Sequence, residues 1–373
     1  MILSEYNEIG KIAKFYGFQP VSTPTITKED YEGLKQFSIT PTLLEKTALV
    51  RTYFEEKSAY LPQPIMLWCE RPLPGTREKR KAGKRESILA SLGSSKSVCE
   101  CLGIQTAMAI ISACGYKNLE VRVNSIGDKD STADFERKLN VHIKKNFNSF
   151  PADLRQALKK DVFAIFGGDD SAWEPFRKDC PKSLDFLGEV SRVHFKEVLE
   201  FLEIMTIPYT IDGNLVGDPD VDTETIFTIN AENEKEPLAY GSRFNKLAKK
   251  IGQKRDLPAV YINLSFRTKK VLKKVKPKKD LPQFYLIQFG PEAKLKSFLI
   301  MHELHKAGVR VSHSIAKDKL AGQMSVAENS NIPYILLLGQ KEALENSVVV
   351  RNTITRAQET IPIINLAGYI KKL

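Results

Sequence analysis

The chain has 373 residues, 42% of them hydrophobic and 27% charged, with a formal net charge of +11 and a pI near 9.2. That length and apolar content can bury a full core and divide into two or three domains. The absence of an apolar run long enough to span a bilayer, and the polar helix pattern directly after Met1-Ile2-Leu3-Ser4-Glu5, argue against a membrane span and a signal peptide. The excess of positive charge favours a polyanionic partner, nucleic acid before an acidic membrane surface, with a merely soluble basic surface as the plain alternative.

In chain order, Ile2, Tyr6, Ile9, Ile12, Ala13 and Tyr16 recur at helical spacing, which predicts a helix over 1–17 that Gly17 ends. Phe18-Gln19-Pro20-Val21-Ser22-Thr23-Pro24 reads as a short strand entering a proline-fixed turn. Residues 40–60 present Leu43, Leu44, Ala48, Leu49 and Tyr53 on one helical face, and Ile65 to Cys69 reads as a buried strand. A basic polar loop from Arg71 to Arg85 follows, then a helix over about 101–114 and an alternating strand, Leu119 to Val123. Residues 130–205 read as mostly helical, with strands at 207–211 and 224–229. Strands and helices without a steady βαβ rhythm predict an α+β core with an antiparallel sheet.

From Arg267 to Lys279 the chain carries eight Lys and Arg residues around Pro277, the composition of a basic linker. Beyond it, alternating strands and helices over 283–373 predict a small α/β domain with a mostly parallel sheet. The expected division is a core over 1–266 with a helical insertion at about 130–205, a linker over 267–282, and a C-terminal domain over 283–373. Cys69, Cys99, Cys101, Cys114 and Cys180 make no CxxC motif, which suggests reduced thiols in a cytoplasm. His302 and His305, three apart on a helix with no third ligand, read as surface histidines, so no metal site is expected.

Several stretches resemble class II aminoacyl-tRNA synthetases of the histidine type. Phe18 to Pro24 resembles motif 1, which lies at the dimer interface in that family. Leu44-Glu45-Lys46-Thr47-Ala48-Leu49-Val50-Arg51 resembles the Pro-Glu-Gly-Thr-Ala-x-Val-Arg segment that meets the amino acid. Val123 to Asp128 and Cys180 to Leu187 resemble the runs that flank the family's insertion. Leu215 to Phe227 is similar to Leu-Val-Arg-Gly-Leu-Asp-Tyr-Tyr-Thr-Gly-Thr-Val-Phe, with Asp220, Thr223, Thr225 and Phe227 kept and Gly217 in the arginine position. The C-terminal part is similar to the family's anticodon-binding domain through Lys306 to Val311, Lys319 to Gln323, Ile335 to Gly339 and Val348 to Asn352.

The resemblance implies amino-acid and ATP contacts by Glu45, Thr47, Glu70, Asp220, Thr223 and Arg243. It implies RNA contacts by Arg80, Lys81 and Lys84 in the basic loop and by Lys317, Lys319, Gln323 and Arg351 in the C-terminal domain. It also implies a homodimer, a tRNA or tRNA-like partner and no membrane. Motif 2 of the family begins Phe-Arg-x-Glu-Arg-Pro, and here Leu67-Trp68-Cys69-Glu70-Arg71-Pro72 places Trp68 at the phosphate-binding arginine, where it reads most simply as core filler, with stacking on a base as the alternative. Leu89 stands where a histidine-contacting glutamine is expected, Tyr240 where a glycine is, and Tyr261 to Arg267 lacks the motif 3 glycines. Each lost charge-assisted contact to a developing phosphate charge costs roughly 2.7–4 kcal/mol.

The pattern therefore predicts a histidyl-tRNA-synthetase-like protein that binds RNA but has a degenerate aminoacylation site, with no cofactor assigned to it. One alternative is an active ligase using ATP and Mg2+, with Arg77, Arg80, Arg85 or Arg267 supplying the missing cation. A second is a protein-interaction paralogue without RNA binding.

Overall fold

A computed structural model describes residues 6–77, 83–167, 171–269, 274–275 and 282–373. The core strands are β1 (Tyr6–Asn7), β2 (Gln19–Pro20), β3 (Ile65–Glu70), β4 (Lys84–Leu92), β5 (Leu119–Ser125), β6 (Tyr209–Ile211), β7 (Thr223–Ala231), β8 (Ala239–Arg243), β9 (Ala259–Arg267) and β10 (Lys274–Val275). Eight of them form one sheet in the order β2-β3-β4-β9-β8-β7-β5-β6. Its interior pairings are antiparallel, and only the edge strands β2 and β6 pair in parallel. The antiparallel α+β core is as expected. β1 lies apart, paired with β10. Most of the basic linker, with Arg80 and Lys81 of the basic loop, lies outside the described residues.

Successive side chains on a strand point to opposite faces, so the sheet has two distinct sides. On β9, Val260, Ile262 and Leu264 join a cluster with the helices Glu8–Phe15, Val98–Ala113 and Glu189–Ile204; this is the back of the sheet. Ala259 and Tyr261 join a second cluster with Leu44, Ala48 and Leu49 of the helix Pro41–Glu55, which covers the front. That helix starts where its sequence dictates: the Thr40 hydroxyl accepts from Leu43 N at 3.1 Å, and Pro41 occupies the first turn. In the 130–205 region, helices Lys129–Asn146 and Ala152–Leu158 surround a separate apolar cluster that includes Phe135, Leu139 and Leu154, whereas Glu189–Ile204 belongs to the back of the sheet.

The C-terminal sheet contains β11 (Phe284–Gln288), β12 (Val311–His313), β13 (Tyr334–Leu338), β14 (Ser347–Asn352) and β15 (Gln358–Pro362), in the order β12-β11-β13-β14-β15. Two pairings are parallel and two antiparallel, so the expectation of a mostly parallel sheet is corrected. The short turn at 353–357 makes β14 and β15 a hairpin, and the short helix Gln340–Leu344 returns the chain from β13 to pair antiparallel in β14.

The two domains share one apolar cluster. Phe298 meets Phe201 with ring centroids 4.8 Å apart, and its carbonyl accepts from Gln105 Nε2 at 2.8 Å. His305 is no surface histidine: its ring packs 4.9 Å from Phe15 and 5.3 Å from Tyr16. Gly17 ends the first helix at φ +94°, and a Cβ there would lie 3.3 Å from the ring of His313.

Phe298→Ala is expected to lower stability by about 3–5 kcal/mol, because it empties a fully buried contact between the domains. Ile364→Ala, on a side chain that is 91% exposed, should stay within about 0.5 kcal/mol. Denaturant unfolding of both variants measures the difference.

Candidate functional site

The front of the sheet is the place to build from, because it carries Glu45, the residue the sequence puts at the amino acid. Glu45 and Lys46 are consecutive on the helix Pro41–Glu55, and both are buried. An isolated buried charge is costly, so each must be met by an opposite one. Both Glu45 oxygens accept from Arg71 Nε at 2.8 Å, and the Tyr261 hydroxyl also donates to this carboxylate. Arg71 reaches on to Glu86 at 3.6 Å, and Ser265 donates to the same Glu86 oxygen at 3.1 Å.

Lys46 donates to Asp222 and, at 2.9 Å, to the Ser242 hydroxyl. Its ammonium lies 5.2 Å from the ring centre of Phe244 and 5.8 Å from that of Tyr261. Asp222 also accepts from Asp218 N at 3.0 Å, Tyr240 OH at 3.2 Å and Ser242 Oγ at 2.9 Å. Burial, then the neighbouring carboxylate, pushes the Tyr240 and Tyr261 phenols well above their usual range, so both remain donors. Burial and the Asp222 charge likewise raise the carboxyl of Asp218.

Gly217, which stands in the arginine position of the segment it resembles, has φ +63°. A Cβ there would meet Asp222 Oδ2 at 2.7 Å, Ile226 Cδ1 at 2.8 Å and Tyr240 OH at 3.0 Å. No side chain fits at this position while Asp222 and Tyr240 hold their places.

The structure agrees with the reading of Trp68 as core filler. Trp68 and its cross-strand partner Leu89 sit on the back of the sheet, in the helix-packed core, with Trp68 only 2% exposed. They are core residues, and the cation on the front of the same strand run is Arg71. Sequence reasoning overlooked Lys46, although glycine in the segment it resembles was a usable signal: a lysine there must go somewhere.

Arg243 is placed differently from its predicted ligand role. It is fully buried on the back, where Nε donates to Glu100 at 2.6 Å and Nη2 donates to the other Glu100 oxygen. Its remaining donors meet the carbonyls of Ser94 and Lys96 at 2.9 and 2.8 Å, and Asn245 Oδ1 at 3.4 Å. His194 Nε2 lies 2.7 Å from the same Glu100 carboxylate. Burial alone would raise the Glu100 carboxyl, but Arg243 and then His194 outweigh it and hold it at about 2.

The other candidates disperse. Thr223 is buried and accepts from Asn245 N at 3.2 Å, while Asp220 is exposed beside Lys250. Thr47 is buried and borders a separate cavity of about 380 Å3 with Asp30 and Arg51. Glu70 borders a small hollow near Arg85 on the back of the sheet. Arg77, Arg85 and Arg267 are exposed, and Arg267 lies about 20 Å along β9 from Tyr261. Lys84 pairs with Glu236.

In the C-terminal domain Lys319 is exposed, and Lys317 and Arg351 are half-buried. Gln323 is corrected as an RNA contact. It is fully buried, its amide donating to the carbonyls of Gln288 and Lys317 at 2.7 and 3.1 Å and accepting from Gln288 N at 3.2 Å. One unpredicted residue is Glu224, at φ +52° in the β7 bulge where the resembled segment has glycine. Its buried carboxylate accepts from Ser191 at 3.1 Å, and burial raises its pKa.

Because the folded Glu100 carboxyl titrates below its ordinary value, its pairing stabilises the fold above about pH 4.5 and is lost as pH falls towards about 2. Acid unfolding should steepen across that window, and Glu100→Gln should flatten it. Arg243→Ala is expected to cost about 3–5 kcal/mol in denaturant unfolding, since it strands a buried carboxylate.

Comparisons with known proteins agree with this architecture. Residues 283–373 match the anticodon binding domain family. The chain is 26% identical over 366 residues to the histidine–tRNA ligase of Macrococcus caseolyticus, covering 94% of this chain and 86% of that one. It is 28% identical over 356 residues to the histidine–tRNA ligase of Listeria innocua, covering 91% and 83%. In fold it is similar to the crystal structure of apo histidyl-tRNA synthetase from S. aureus, with a TM-score of 0.54 and 22% identity over 97% of this chain and 93% of that one. With its antiparallel core, its C-terminal anticodon-binding domain and a likeness that runs along nearly its whole length, this chain is a class II histidyl-tRNA synthetase-like protein.

Proposed function

We propose that this protein binds tRNA, or an RNA of tRNA-like shape, in an auxiliary or regulatory role and does not activate histidine. The observation that carries the reading is the front of the sheet, where Glu45–Arg71 and Lys46–Asp222 turn the chain's own charges on one another. A guanidinium committed to Glu45 is poorly placed to meet a phosphate, and Lys46 with Tyr240 and Tyr261 takes up space that an amino acid would need. RNA binding is supported by the anticodon-binding domain, by the net charge of +11, and by exposed or half-buried Lys319, Lys317 and Arg351. We further propose that the protein works as a cytoplasmic homodimer. The five cysteines are all free, as suits a reducing compartment.

One observation favours the active-ligase alternative: a guanidinium, that of Arg71, does lie on the front face. ATP–pyrophosphate exchange with histidine separates the two. Exchange at background is expected; robust histidine-dependent exchange would make the protein a ligase that uses ATP and Mg2+, with Arg71 as its phosphate-facing cation. In filter binding to tRNA, log Kd should rise with log salt by roughly 0.7–0.9 for each phosphate contacted. No affinity even at low salt would leave the protein-interaction reading instead.

A further inference from the structure

We propose that Asp222, Ser242, Phe244 and Tyr261 form a binding site for a primary ammonium group, and that Lys46 is its built-in occupant. The proposal deepens the closed-pocket reading above and rests on it.

An ammonium offers three donors and a compact charge, and it is best held by a carboxylate, a neutral oxygen and the faces of aromatic rings. All of these converge on Lys46 Nζ: Asp222 Oδ1, Ser242 Oγ at 2.9 Å, and the rings of Phe244 and Tyr261 at 5.2 and 5.8 Å. The site is organised independently of its occupant. Asp218 N and Tyr240 OH hold the second Asp222 oxygen, and Ser242 Oγ donates to the first. Tyr261 is fixed from the other side by its bond to Glu45. The walls come from β7's leading loop, β8, the residue after β8, and β9, whereas the occupant comes from a helix on the covering layer.

The neighbouring pair shows why the arrangement is a closure. Glu45 sends an acid from helix to sheet and meets a base, Arg71; Lys46 sends a base and meets an acid, Asp222. Four buried charges thus cancel in two crossed pairs, and the helix Pro41–Glu55 is pinned over the front. Withdrawing Lys46 alone would leave the Asp222 carboxylate buried and unneutralised, in a space shaped for an alkylammonium.

The experiment is thermal melting of Lys46→Ala in the full chain with n-propylammonium, with tetramethylammonium as a cation that has no N–H donor. A dose-dependent rise in melting temperature is expected with n-propylammonium, in the variant and not in the unsubstituted protein. No amine-specific rise, or an equal rise in both proteins, would overturn the proposal. Acylation with acetic anhydride, mapped by mass spectrometry, covers the case where Lys46→Ala does not fold. In the unsubstituted protein Lys46 should react at least about tenfold more slowly than Lys249, whose side chain is 58% exposed; equal rates would again overturn it. Either failure leaves the exchange assay at background, whereas histidine-dependent exchange sinks the reading on which the proposal rests.

Discussion

The cost of burying charge governs this protein. One helix, Pro41–Glu55, puts an acid and a base side by side under the layer that faces the sheet, and neither reaches water. Each therefore needs its own counter-charge from the sheet below, and Arg71, just past the end of β3, and Asp222, just before β7, supply them. Once those pairs exist, the surrounding choices follow. Tyr261 and Tyr240 stay protonated and act as donors, Ser242 links the lysine to its carboxylate, and Gly217 can carry no side chain.

The back of the sheet obeys the same rule with a different outcome. There the packing is apolar across three helices, and a charged knot, Arg243 with Glu100 and His194, is enclosed within it. By drawing the carbonyls of Ser94 and Lys96 to its guanidinium, Arg243 fixes the turn that launches the helix Val98–Ala113. That helix in turn carries Gln105 to the C-terminal domain. Lys96 itself pairs with Asp318, so the turn touches the C-terminal domain as well. The anticodon-binding domain is thus anchored on elements that share the core of the sheet.

Much of this was legible along the chain. Apolar spacing located the helices near 8–15, 41–55, 98–113 and 291–306, and the change of rhythm after the basic linker marked the second domain. The segments flanking the insertion and those of the last domain carried the resemblance. The errors share a form. Arg243 and Gln323 were taken as ligand contacts but bond internally, and Lys46 was passed over. Each mistake concerns where a side chain points and what waits there.

The sequence by itself determined the elements, the two-domain order and the class of protein, because helical periodicity, turn residues and motif spacing are local properties of a chain. Tertiary structure alone decided which residues face a ligand. A strand alternates sides at every residue, so Trp68 and Cys69, adjacent on β3, end in different cores. The partners that neutralise Glu45 and Lys46 lie 26 and 176 residues away, and only folding brings them within reach.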